Sequence, residues 1–422
     1  MISAGATCLD ITPPLGTMIP GLFHDRFAER VHDPLHVRSF VMDQGGEGVA
    51  IVVCDLIGVK RDYLDRAKDR ITEAIGFGAE RILISCTHTH TGAATGDDAY
   101  TEFLIDRIVD AVRLAWEDRK PVEVSFGQAS EDRVVFNRRY RMTDGSVRTN
   151  PGVGNPDVVE PVGPVDPEIG VLCLQEADGQ PVGLLANYAL HYVGAPDAQR
   201  SISADYFGAF SSVIQRMRDD RFVAALANGA CGDINNVDVQ GGKRPQNDCF
   251  QHSERVAGLI AAGAMWAWNE MDFADDVPID AAIQEISLER KPKPSEADLE
   301  RVREMEGKEK ATMAERAFVR RITKRMADVP DQVQTWVQAL RIGDLGIAAV
   351  PGELMVELGL DLKARSPFAQ TMVIELANDS VGYLPTRKSY DEGGYEPEAS
   401  LFAPGCGEQI TDAAVNLLTE LA

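Results

Sequence analysis

No apolar run in this chain approaches the roughly 20 residues that a membrane-crossing helix needs. Its longest apolar stretch, Val256 to Trp268, is too short and is closely flanked by charge. A helical membrane protein is therefore excluded. Cysteines are few, seven in all, scattered at positions 8, 54, 86, 173, 231, 249 and 406 without a Cys-x-x-Cys. That pattern argues against a disulfide scaffold and points to reduced thiols in a cytoplasm. The opening Met1-Ile2-Ser3-Ala4-Gly5-Ala6-Thr7-Cys8 has no basic stretch ahead of an apolar core, so no secretion signal is expected. Basic residues are outnumbered, 42 against 66 acidic ones, for a net charge of −24 with no offsetting basic cluster. A field of that sign repels phosphate backbones, which excludes nucleic acid as a partner. No repeat of 20–50 residues and no low-complexity linker is present.

What is present is an ordinary globular composition, 44% hydrophobic and 26% charged, over 422 residues. Strand-like runs fall at 35–41, 49–54, 81–85, 122–126, 170–174, 182–189 and 222–227. More follow at 279–288, 333–342, 346–350 and 371–376. Helical periodicity marks 59–75, 101–116, 206–217, 249–268, 353–363 and 407–421. This alternation predicts an α/β fold of layered mixed β-sheets flanked by helices, in a single domain spanning 1–422. Residues 292–329 are highly charged and predict a helical insertion with a solvated face, starting near Ser295. The segment Asn137–Asp166, rich in Arg, Gly, Pro and Asn, is too long for a connector and is expected to cover a site.

Histidine is scarce too, seven in all, which gives weight to the pair in Thr87-His88-Thr89-His90. It follows the apolar run Ile82-Leu83-Ile84, so alternation on a strand would send both imidazoles to one face at a strand's carboxyl end. A third, His191 in Asn187-Tyr188-Ala189-Leu190-His191, also ends an apolar strand, though a lone histidine there is more often a satisfied core residue. Glu353 in Val350-Pro351-Gly352-Glu353 follows another strand, and its ordinary role would be that of a helix-start glutamate. Tyr383 sits in the loop after a fourth and could equally be a packed aromatic. A catalytic zinc commonly takes three His and Glu ligands and keeps one position open. Among the other polar residues, Asp205 reads as an N-cap that could also orient His191, and Asp233 as turn chemistry or pocket wall. His32, His36 and His252 read as structural, and His24 as a loop residue that could face the pocket.

These pieces together resemble the catalytic domain of the neutral/alkaline non-lysosomal ceramidases. The matching segments are Ala4-Gly-Ala-Thr-Cys-Leu-Asp-Ile-Thr-Pro-Pro, Asp33-Pro34-Leu35-His36-Val37-Arg38, Thr87–Gly92, Asn137-Arg138-Arg139 and Asn187–His191. Gly232-Asp233-Ile234-Asn235, Pro351-Gly352-Glu353 and Gly382–Thr386 complete the series. The resemblance implies one Zn2+ per chain held by His88, His191, Glu353 and Tyr383. It further implies that His90 and Arg138, with Tyr383, contact the reacting amide or its oxyanion. The chain departs from the family where Asn235 stands in place of a serine and where Ser380 falls near an expected tyrosine. Neither the appended β-sandwich nor the leader of ceramidases is expected for it.

The sequence thus predicts a cytoplasmic zinc-dependent hydrolase that cleaves an amide or related acyl bond of a small polar substrate. An ester or lactone hydrolase, or a true ceramidase, would use the same site. A metal- or ligand-binding protein on this scaffold is the non-enzymatic alternative. A barrel amidohydrolase is disfavoured, because its His-x-His lies nearer the start of the chain and more histidines follow it.

Overall fold

The computed structural model describes every residue except 97, 195–199, 220, 242–248, 307, 309–312 and 327–329. Twelve strands form two facing sheets. The larger holds β1 (Ser3–Asp10), β2 (His36–Gln44), β3 (Glu47–Cys54), β4 (Ile82–Cys86), β5 (Lys120–Ser130), β6 (Glu168–Glu176), β7 (Pro181–Tyr188) and β8 (Val223–Asn228). Their order across the sheet is β8-β7-β6-β5-β1-β2-β3-β4. The smaller sheet runs β9 (Ile279–Glu289), β10 (Gln332–Ile342), β11 (Leu345–Ala349) and β12 (Gln370–Ile374) in sequence order.

Alternation along the strands builds the layers, because successive side chains leave on opposite faces. Phe40, Met42, Ile51, Val53, Leu83, Leu172 and Leu174 meet Leu340, Ile342, Ile347, Met372 and Ile374 between the sheets. The outer face of the large sheet carries α1 (Arg61–Ile75) and α2 (Ala99–Glu117) over one half. Its other half carries α3 (Asp205–Met217) and α4 (Cys249–Glu270). The small sheet is covered by α7 (Val356–Arg365) and α8 (Cys406–Leu421). The result is helix, sheet, sheet, helix, as the predicted layered mixed α/β fold requires. The charged insertion forms α5 (Glu296–Glu306) and α6 (Met313–Met326), joined by a small core of Val302, Met305, Phe318 and Ile322. The predicted charged run at 307 and 309–312, and the insertion's end at 327–329, lie outside the described residues.

Within these two sheets three strand pairs are parallel: β3 with β4, β7 with β8, and β11 with β12. Their carboxyl ends gather in one place. Cys86 N–H donates to Leu376 O at 3.2 Å, Asn378 N–H to Ile84 O at 2.8 Å and Glu375 N–H to Asn228 O at 3.1 Å. These bonds stitch the two sheets together where open α/β sheets build their sites.

A buried metal-type centre at the strand ends

His88 lies beyond β4, not on it, and adopts a left-handed backbone with φ 68°. Its convergence with His90 therefore comes from a turn and not from strand alternation. Thr87 N–H to Cys54 O and His88 N–H to Leu56 O, both 2.9 Å, hold that turn against the end of β3. The conformation is uncommon for a side chain with a Cβ and persists where surrounding bonds enforce it. His88 Nδ1 lies 2.7 Å from Ile57 O, and a carbonyl can only accept, so Nδ1 carries the proton. The lone pair of Nε2 is left facing the site.

Three imidazoles, His88, His90 and His191, have ring nitrogens all within 4.8 Å of one another, and each is buried. His90 Nε2 stands 3.0 Å from His191 Nε2. Glu353 Oε2 stands 3.4 Å from His88 Nε2 and 3.7 Å from His191 Nδ1. Ligand bonds of about 2.1 Å around a tetrahedral ion put its donors about 3.4 Å apart. His88 Nε2 and Glu353 Oε2 are also buried atoms with no hydrogen-bond partner. Buried polar atoms are rarely left so, and a pair of them at ligand spacing fits a divalent ion. His90 joins the cluster by distance, closer than its predicted role as a substrate contact requires.

Arg138 closes one wall. Its Nη1 lies 3.0 Å from His191 Nδ1, and its Nη2 donates to Tyr383 Oη at 3.1 Å and to Gly232 O at 2.6 Å. A guanidinium only donates, so His191 Nδ1 accepts. That lone pair serves either Arg138 or a metal, not both. Glu396, absent from the sequence reading, anchors Arg138 through Oε1 to Nε at 2.7 Å and is itself wholly buried. Tyr383 pairs with Glu353 across two short parallel strands, and its Oη accepts from Arg138.

Burial works against every charge here, and neighbours decide the outcome. For His88, burial would lower the pKa, but Glu353 outweighs it and holds His88 above its ordinary value. For Glu353, burial would raise it, but His88, Arg138 and Tyr383 together hold it below the usual carboxylate range. Burial and nearby cations push His90 and His191 well below ordinary histidine. Both are neutral imidazoles, the form that ligates metals.

Several expectations need correction. Glu353 does not start a helix: Glu353–Leu354 is a short strand paired in parallel with Tyr383–Leu384, and α7 begins at Val356. Gly352 permits this close approach, since a Cβ there would meet Gly382 O at 2.4 Å. Asp205 neither caps α3 nor reaches His191; Ala204 holds the cap position, and Asp205 accepts from Thr89 Oγ1 at 2.7 Å, tethering the His-Thr-His turn. Asp233 is buried scaffolding, accepting from Val356 N–H and Asn137 Nδ2, each at 2.9 Å. The 137–166 segment is a set of short strands, not an open loop. Only Arg138 of its arginines enters the site: Arg139 is paired with Glu392 and Glu396, and Arg148 points outward to Asp144. Ser380 packs on Gly58, and His24 is exposed.

Sequence reasoning also missed Glu375, buried beside this centre. It accepts from Cys231 N–H at 3.1 Å and Cys231 Sγ at 2.9 Å, clamping the turn whose Gly232 carbonyl holds Arg138. Burial raises its pKa from 4.5 to about 8, with His88 opposing. The folded state keeps a proton that the unfolded chain releases, so this group's stabilisation is full below about pH 4.5 and fades as pH rises through about 8. Glu375→Gln is expected to flatten that loss in the metal-free protein. Urea unfolding near pH 5 and pH 8 checks it; an unchanged pH slope contradicts it.

A two-sheet α/β protein with a buried centre of three histidines and one carboxylate is thereby defined. The chain belongs to the neutral/alkaline non-lysosomal ceramidase family, whose N-terminal domain model matches residues 3–267. It is 22% identical over 249 residues to the neutral ceramidase of Pseudomonas aeruginosa, a match spanning 54% of this chain and 35% of that protein. The matched segment thus covers about a third of that relative's length. The crystal structure of the Pseudomonas aeruginosa neutral ceramidase superposes with a TM-score of 0.78 at 16% identity, over 100% of this chain and 74% of that one. A ceramidase complexed with C2 gives 0.79 at 17% identity, over 100% and 75%.

Proposed function

We propose that this chain is a metal-dependent hydrolase that cleaves an amide or related acyl bond of a small polar substrate. The observation that carries the reading is the orphaned pair His88 Nε2 and Glu353 Oε2, 3.4 Å apart beside His191. His88, His191 and Glu353 would hold a zinc ion, with Tyr383 beside Glu353 as a further oxygen donor. When bound, such an ion polarises a carbonyl and lowers the pKa of water toward neutrality.

The chain's own groups supply the rest. Arg138, fixed by Glu396 and Gly232 O, directs its guanidinium toward the site beside Tyr383 Oη. Donors held in that way stabilise the negative charge that develops on an acyl oxygen. His90, neutral and buried, offers Nε2 to accept a proton and return it to the leaving nitrogen. No side-chain nucleophile is needed. Cys231 is bonded to Glu375 with burial raising its thiol well above the ordinary value, Ser203 Oγ is bonded to Asp33, and Asn235 cannot attack.

The relatives' name supports ceramide as a second substrate in the same site. Among the described residues no helix is long and apolar enough to cross a membrane. The free thiols of Cys54, Cys86, Cys173, Cys231 and Cys406 are buried, which supports a cytoplasmic setting as part of this proposal. The test is a comparison of kcat/KM for short polar acyl amides and for long-chain ceramide. Faster turnover of the polar amides is expected; ceramide cleavage with no activity on them overturns the reading.

A further inference from the structure

The charged insertion is more than a solvated face. Arg320 and Lys324 stand one turn apart on α6, and side chains four residues apart on a helix share a face. Arg320 Nη1 donates to Leu22 O at 2.9 Å. The residues on either side of Leu22 both reach the centre. Gly21 packs on His90 so closely that a Cβ there would lie 2.6 Å from Nδ1. Phe23 meets Tyr395 edge-on with ring centroids 5.8 Å apart, and Tyr395 meets Tyr383 at 5.6 Å. Tyr383 in turn receives a hydrogen bond from Arg138. Arg320 is thus two short steps from the reacting groups.

Lys324 lies in the same electrostatic neighbourhood. Burial first, then Arg320, pulls its pKa down, while the charge of Glu353 pulls it up and Lys60 adds to the repulsion. Tyr395 feels both Glu353 and Arg320. Among the described residues neither Arg320 nor Lys324 has a carboxylate within ion-pair distance, whereas their neighbour Arg321 is paired with Glu398. The charge of Glu353 acts on Lys324, and Glu353 Oε2 lies 3.4 Å from His88 Nε2. Two cations without a carboxylate partner beside a site leave their counter-charge to the ligand.

We infer that Arg320 and Lys324 form an anion-recognition rim, so that the substrate is an acyl amide carrying a carboxylate several bonds from the scissile amide. This rests on the hydrolase reading above and names its substrate class.

The test compares N-hexanoylglycine with the neutral N-hexanoylethanolamine, which has the same acyl chain and nearly the same length. The metal-loaded wild type is expected to prefer the glycine conjugate, chiefly through KM. The double variant Arg320→Gln/Lys324→Gln is expected to lower the ratio of the two kcat/KM values about tenfold. Arg148→Gln, an outward arginine, leaves the ratio unchanged. Raising ionic strength should weaken binding of the glycine conjugate selectively, which needs no variant at all. Calorimetric binding of N-hexanoylglycine to the metal-free protein separates the two claims. If no amide is hydrolysed but this binding is lost in the double variant, the hydrolase reading fails and the rim stands. An unchanged ratio in the double variant, with salt affecting both amides alike, overturns the rim while the hydrolase reading stands.

Discussion

Replacing Glu353 with glutamine is expected to abolish hydrolysis, with kcat/KM falling by about a thousandfold or more. The same change should lower bound metal at least tenfold by elemental analysis. Glu353 is the only carboxylate within ion-pair distance of the histidine cluster among the described residues, and its Oε2 has no hydrogen-bond partner. The amide of glutamine brings N–H donors to a place that must accept. The fold should survive, because Glu353 is held through its backbone: its N–H donates to Gly382 O at 3.0 Å and its strand pairs with Tyr383–Leu384. By contrast Ser380→Ala, Ser203→Ala and Cys231→Ala should keep most activity. None of those hydroxyls or thiols has an imidazole within hydrogen-bond reach, so none forms a nucleophile and imidazole pair. A covalent acyl-enzyme trapped on any of the three would reverse this ranking.

Glu396→Ala should be the most destabilising single change near the site. It removes the partner of Arg138 at 2.7 Å, of Arg139 at 3.6 Å and of Thr149 Oγ1 at 2.8 Å, from a side chain with no exposed surface. Breaking a buried pair from one side strands the remaining charge, which costs about 3–5 kcal/mol. Activity should fall as well, since Arg138 then loses the carboxylate that anchors its Nε and keeps only neutral acceptors. Glu396→Gln keeps a hydrogen-bond acceptor and should lie between the alanine variant and wild type. Asp144→Ala serves as the comparison, because its pair with Arg148 is more than half exposed on both sides and screened by water. Urea unfolding of the three variants settles the order. Equal stability for Glu396→Ala and Asp144→Ala contradicts it.

The residues proposed for the site were easier to read than the residues that hold them. His88, His191, Glu353, Tyr383, His90 and Arg138 carry chemistry in their side chains and stand beside strong apolar runs, and the fold brings all six together. Their route there was less legible. The turn that aims His88 depends on a left-handed backbone fixed by carbonyls of a neighbouring strand, which no local pattern records. Glu353 looked helical because the apolar periodicity of α7 is strong, whereas its short strand depends on a pairing 30 residues away in sequence. The first strand was missed because Ser3-Ala4-Gly5-Ala6 lacks β-branched bulk. It is small because α2 lies against it: a Cβ on Gly5 would sit 2.0 Å from Ala115 O. Glu375 and Glu396 gave no signal at all, since an acid in an ordinary turn or helix shows its value only once a distant cation or thiol is placed against it.

The account depends most directly on a metal at this centre. Anomalous X-ray diffraction at the zinc edge from crystals of the purified protein measures it. One peak per chain is expected, about 2.0–2.2 Å from ring nitrogens of His88 and His191 and from Glu353 oxygen. A zinc-supplemented crystal with no peak between those three side chains, in a protein that still hydrolyses amides, would contradict it.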